Sequence, residues 1–175
     1  GLLGSSLPEG IKYTVLFGAN FMRLCLLAIG LLAVLATPGF SQSRGEMELY
    51  EKLTASPQAA LGLETVLKQP SGYSATILFV SSGVAFKEKR LEDSAFLFYT
   101  AQLRARFDQQ CFPPKGQGGD SPQVAYGALA HEFGSAINPA VMAQPKVFEK
   151  VMVRVKKWTP KASADYDPGY EFTER

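Results

Sequence analysis

One histidine, two cysteines and one tryptophan occur in the chain, and the first two scarcities each close off chemistry. A zinc-protease helix of the His-Glu-x-x-His kind needs a second imidazole four residues after the first. Ser135 stands at that place after His131-Glu132, so no metal site is expected. Two cysteines allow a single disulfide at most. Net charge is also scarce, at a formal +2 for the whole chain, which gives no electrostatic basis for binding nucleic acid. Gly116-Gln117-Gly118-Gly119 lacks both the Lys-Ser/Thr pair and the preceding strand of a phosphate loop, so it reads as a loop and no cofactor is expected.

What is present near the start is a run with the layout of a secretory signal. Met22-Arg23 is followed by the uncharged apolar stretch from Leu24 to Ala36 and then by Thr37-Pro38-Gly39-Phe40-Ser41-Gln42. A basic residue, an apolar segment of about 7–15 residues, a helix breaker and small residues suit an export channel and a signal peptidase. Residues 22–41 are read as the signal peptide, with a mature chain starting near Gln42. Residues 1–21, which lack an initiating Met, are read as upstream read-through or an extended leader. The alternative is a retained membrane anchor, for which the clean apolar run is short against the roughly 20 residues that a bilayer needs. Ile11 to Phe21 would lengthen it, and membrane contact is expected only in that case.

A cleaved signal places the protein in the periplasm or outside the cell, in the envelope of a Gram-negative bacterium; a retained anchor would hold it at the membrane facing the same space. Cys25 would leave with the signal, and Cys111 would then have no partner in its own chain. An unpaired thiol in an oxidising compartment is either buried and inert or bridges two chains, and burial is the expectation here.

Residues 42–175 are rich in Ala, Leu, Gln, Lys and Glu and carry little alternating β-branched pattern, which predicts a single all-α domain of about five to six helices. Ser56-Pro57, Ser121-Pro122 and Asn138-Pro139 each put a side-chain acceptor at an N-cap and a proline in the first turn. The expected helices are 44–55, with Met47, Tyr50 and Leu53 inward; 57–69, with Ala60, Leu63, Val66 and Leu67 inward; 75–87; 92–110; 122–137, with a short turn at 139–143; and 145–158. The fourth has the widest apolar surface, with Phe96, Tyr99, Leu103 and Phe107 on one side and Ala95, Phe98, Ala101 and Ala105 beside them, and is read as central. Residues 159–175 lack periodicity. Three rings, Tyr166, Tyr170 and Phe172, joined to Trp158, predict an extended tail folded back on the helices.

Residues 75–107 form a helix, the tight link Lys87-Glu88-Lys89-Arg90-Leu91, and a second helix opened by Glu92-Asp93-Ser94-Ala95. With Ala85 and Ala95 as small contact residues and Phe98-Tyr99 as fillers, this stretch resembles one helix-turn-helix unit of tetratricopeptide and Sel1-like proteins. The resemblance implies antiparallel helical hairpins and protein or peptide binding on a helical face, with no catalytic chemistry.

No catalytic set emerges from the residues themselves. Glu92 and Asp93 are neighbours and do not face each other on a helix, so they suit the helix dipole better than a glycosidase pair. Arg104 and Arg106 sit near the C-terminal end of the same helix and favour its dipole; Arg106, if buried beside Phe107, would hold the tail. Glu132, His131 and Cys111 are the residues that a minimal enzyme would use, and no third group positions them.

The strongest surface signal is on the last helix. Lys146, Lys150, Arg154 and Lys157 recur at steps of four, four and three opposite Phe148, Val151, Met152 and Val155. These four are the candidate partner-binding residues. Their counterpart is an acidic protein in the envelope, the acidic tail 165–171 of the same molecule, or lipid headgroups. The expected function is therefore an exported protein acting by protein binding, as an inhibitor, an immunity protein or an accessory subunit, with a small enzyme or a membrane-anchored subunit as alternatives.

Overall fold

Glu46, Leu49, Tyr50 and Leu53 recur at helical spacing and are the buried stripe of α1 (Arg44–Thr54). In this computed structural model, residues 44–116, 118–119, 121–161 and 166–173 are described. The leader, read-through and anchor expectations for residues 1–41 lie outside them. Five further helices follow: α2 (Ala59–Lys68), α3 (Ala75–Lys87), α4 (Leu91–Cys111), α5 (Pro122–Met142) and α6 (Pro145–Lys157), with a 3-10 turn at Pro70–Gly72 before α3. The fold among the described residues is all-α.

α3 is the helix without a solvent face. Every residue from Ala75 to Ala85 is buried, because α1, α2, α4 and α5 all pack on it. Its companion α4 contacts α3, α5 and α6 and buries Ala95, Leu97, Phe98, Ala101 and Ala105. Centrality is thus shared; of the expected apolar surface of α4, Ala95, Phe96, Phe98, Ala101 and Ala105 are buried, Tyr99 and Phe107 are half-buried, and Leu103 is exposed. On α1, Met47 is 37% exposed, and Glu46 takes the inward place.

The α3–α4 pair is an antiparallel hairpin with a tight link. Ser94 Oγ donates to Ser82 O at 2.9 Å close to the turn, and Phe79 meets Phe98 edge-on at 5.9 Å further away. At the link the Lys89 N–H donates to Phe86 O and the Arg90 N–H to Ala85 O, with Lys89 at φ 59°. That is a Schellman ending, with Lys in the left-handed position that glycine usually fills.

Two expected boundaries differ from those found. α2 begins at Ala59 and not at Pro57; Ser56-Pro57 is cis and lies in a turn closed by Gln58 N–H donating to Ala55 O. α5 does not stop at Asn138-Pro139 but runs on to Met142. Ile137 and Val141, one turn apart, are both buried, so packing holds the helix on either side of the proline. Proline deprives the Ser135 carbonyl of its helical donor at a residue that is exposed to solvent. The Asn138 side chain does not cap, because its Oδ1 accepts from Tyr99 Oη at 3.1 Å. Ser121-Pro122 does open α5, with the Ser121 carbonyl accepting from Val124 and Ala125, but the Ser121 hydroxyl makes no capping hydrogen bond.

Two glycines let the central helices interlock. A Cβ on Gly83 would meet Phe133 Cε1 at 2.4 Å, and one on Gly134 would meet Phe98 Cζ at 2.8 Å. Phe133 is half-buried and has room to swing outward; Phe98 is held in the core between Phe79 and Tyr99 and does not. Gly134→Ala is therefore expected to destabilise the fold by about 1–2 kcal/mol, overcoming the roughly 1 kcal/mol by which Ala favours a helix interior. Urea unfolding would show this as a lower midpoint at constant slope.

Candidate functional site

α6 packs Val151 and Val155 inward, half-buries Phe148 and Met152, and turns its basic residues out. Lys146, Lys150 and Lys157 are exposed. Arg154 is not: it is half-buried, with Nη1 3.0 Å from Asp93 Oδ1 and 3.3 Å from Glu92 Oε1 and its guanidinium 4.2 Å from the centre of the Phe96 ring. Arg90 binds Asp93 from the other side and reaches Glu64 on α2. Glu92 and Asp93 thus do more than favour the α4 dipole, because they tie α6 onto α4. Of the four expected partner-binding residues, three face solvent and the fourth holds their helix in place.

Beside them lies an open hollow of about 460 Å³ lined by Glu92, Glu149, Lys150, Val153 and Arg154. Val153, 52% exposed, sits among the lysines. The acidic tail does not lie along this face. Its described residues are tied elsewhere, through Tyr170 Oη donating to Phe112 O, Tyr126 Oη donating to Pro168 O, and backbone bonds from Lys115 N–H to Glu171 O and from Thr173 N–H to Pro113 O. Phe172 packs edge-on to Phe112 at 5.1 Å.

A second, more enclosed feature went unread in the sequence. Arg104, not Arg106, is the buried cation; Arg104 and Asp108, one turn apart on α4, are both 0% exposed. Arg104 Nε lies 3.0 Å from Asp108 Oδ1 and 2.9 Å from Tyr166 Oη, and Nη1 donates to the carbonyls of Lys161 (2.8 Å) and Ser71 (3.2 Å). The guanidinium also stacks on the Tyr166 ring, 3.6 Å from its centre. Tyr166 Oη donates to Asp108 Oδ2 at 2.6 Å. Arg106, on the opposite face, is exposed.

Outside this group a cleft of about 410 Å³ opens between α1, the 3-10 turn and the tail, and its lining includes Glu46, Lys52, Tyr73, Tyr166 and Asp167. Glu46 Oε1 accepts the Ser74 N–H at 2.8 Å. Burial pushes its carboxyl up, with nearby Asp167 adding to the effect. Burial likewise pushes Asp108 up to about 6, against the lowering effect of Tyr166 and Arg104. A carboxyl whose folded value lies above its unfolded one stabilises most below the unfolded value of about 4, and this contribution is lost as pH rises through about 6. The sequence signal for this group was an i,i+4 Arg/Asp pair set among the inward residues Leu97, Ala101 and Ala105.

The residues named for a minimal enzyme are not brought together. Cys111 is exposed at the end of α4, contrary to the buried thiol expected, because it falls on the last turn where the chain leaves the core. Gly134 meets Phe98, and Asn138 meets Tyr99, across the antiparallel α4–α5 pair. His131 is therefore level with a position about seven residues before Cys111, roughly 10 Å along the axis. His131 is exposed and Glu132 half-buried. Among the described residues no cluster of three or more potential metal ligands occurs, and no helix is long and apolar enough to cross a membrane. Compared with protein-family models, curated proteins and solved structures, the chain matches none.

Proposed function

We propose that this chain is an exported helical binding protein of the cell envelope, acting as an inhibitor, an immunity protein or an accessory subunit, and that it engages an acidic protein surface through the outer side of α6. The observation that carries this reading is the arrangement on that helix. Lys146, Lys150 and Lys157 stand in solvent around an exposed Val153, next to a hollow, while Arg154 pins the helix to α4. A basic face with an apolar centre on a rigid helix is suited to protein recognition, since charge steers the encounter and the apolar contact slows dissociation. The antiparallel α3–α4 hairpin and the signal-like residues 22–41 support the same reading.

The test is recovery of a stoichiometric partner from an envelope fraction, followed by its titration against the triple variant Lys146→Glu, Lys150→Glu, Lys157→Glu. Affinity is expected to fall by about 100-fold or more at low ionic strength, with the loss shrinking in salt as surface charges are screened. The melting temperature should stay where it was, because all three side chains are exposed. A partner bound equally well by the triple variant would refute the α6 surface; recovery of no partner would refute the binding function.

A further inference from the structure

The outer face of α6 has more relief than a basic stripe requires. Lys146, Lys150 and Arg154 form one row at steps of four, and Glu149, Val153 and Lys157 form the next. Rows of this kind are the ridges by which helices interlock, and the space between two of them is a groove. The hollow of about 460 Å³ lies in that groove, walled by Glu149 and Val153 from one row and by Lys150 and Arg154 from the other, with Glu92 of α4 beside it. Arg154 is held by Glu92 and Asp93, so it does not swing over to fill the space. Val153 stands 52% exposed there, and Lys146, Lys150, Val153 and Lys157 follow one another at steps of four, three and four. The exposed lysines therefore bracket the valine on a single line.

The complement of such a line is an apolar side chain with a carboxylate on either side. Lys150 lies about 4.5 Å before Val153 along the helix axis and Lys157 about 6 Å after it, roughly 10.5 Å in all. A second helix lying within about 20° of the α6 axis, the geometry in which a ridge of i,i+3 residues enters such a groove, repeats that distance every seven residues. An extended segment has less to hold, since it gains affinity from main-chain bonds to a sheet edge and α6 offers no edge. Lipid phosphates fit no better. Glu92 and Glu149 border the hollow and repel a continuous negative layer, whereas the carboxylates of a helix can be spaced to avoid them. Resting on the α6 binding face argued above, we infer that its ligand is an amphipathic acidic α-helix, which sets an apolar side chain in the groove over Val153 and carboxylates against Lys150 and Lys157.

Two synthetic peptides test this on the full chain by NMR titration. Each is Ala-rich and about 15 residues long, enough to form a helix. The first carries Glu at i and i+7 with Leu at i+3 and i+4, so that either chain direction presents the line; its isomer has the same composition with Leu at i+2 and i+5, on the opposite side of the helix. The first is expected to bind about 10-fold more tightly, as burial of a leucine side chain requires, and to shift the amide resonances of α6. Val153→Ser should remove most of that preference. Lys150→Gln with Lys157→Gln should weaken both peptides several-fold at low ionic strength, and neither variant should lower the melting temperature, since all three side chains are exposed. Equal binding of the two peptides, lost together in the lysine variant, would overturn the helix-in-groove assignment and leave the basic binding face standing. Binding of neither peptide at about 1 mM, shifts outside α6, or displacement of the first peptide by vesicles of phosphatidylcholine and phosphatidylserine would overturn the assignment too. The broader reading fails separately, when no partner is recovered from the envelope.

Discussion

Arg104→Ala is expected to lower the unfolding free energy by about 3–5 kcal/mol, the range found when one member of a buried ion pair is removed and the other is left behind. The loss has several parts. Asp108 keeps the hydrogen bond from Tyr166 but loses its cation, at 0% exposure, the Lys161 carbonyl loses its Arg104 donor, and the Ser71 carbonyl is left with the Lys161 N–H. The Tyr166 ring loses the planar group stacked on it, and a cavity the size of a guanidinium and its stem remains. Arg104→Met with Asp108→Leu should recover a large share of the loss, since two apolar groups of similar volume leave no buried charge to satisfy. Urea unfolding of the single and double variants separates the cases: if the double variant is no more stable than Arg104→Ala, packing rather than charge governs the site.

The helical class was legible because it rests on local causes. Helix-forming composition and a proline after an N-cap act within a few residues, and Ser121-Pro122 opens α5 where expected. Asn138-Pro139 has the same local form, yet α5 runs through it, since burial of Ile137 and Val141 and the bond from Tyr99 to Asn138 are long-range facts. Met47 on α1 and Leu103 on α4 depart from the expected inward faces for a related reason. Hydrophobicity alone puts Met47 and Leu103 inside, whereas the fold buries Glu46, Arg104 and Asp108, which bond to the Ser74 N–H, to Lys161 O and to Tyr166 Oη brought from distant segments. The basic residues of α6 were legible as a stripe, but the diversion of Arg154 to Glu92 and Asp93 depends on how α4 and α6 dock, some 60 residues apart in sequence.

Ending the chain after Trp158 is expected to lower the melting temperature markedly, and the loss should persist in high salt. Tyr170 is 2% exposed, and Tyr166 and Phe172 are half-buried against Arg104 and Phe112. Burying an aromatic side chain contributes about 1.5–3 kcal/mol, so the three rings outweigh the backbone entropy of ordering a short segment only with help from the hydrogen bonds that go with them. Those bonds come from Arg104 to Lys161 O, Tyr126 to Pro168 O and Tyr170 to Phe112 O. The net loss should be about 2–4 kcal/mol, smaller than the sum of the parts, because the truncated chain readmits water to Arg104 and Asp108 and relieves their desolvation. Apolar burial is not screened by ions, whereas surface pairing is, so a deficit that closed in 1 M salt would mean that charge holds the tail in place of its rings. An unchanged melting temperature together with lost partner binding would make the tail a recognition segment. In that case the partner, and not α4, would be the surface against which Tyr166 and Phe172 are stabilised.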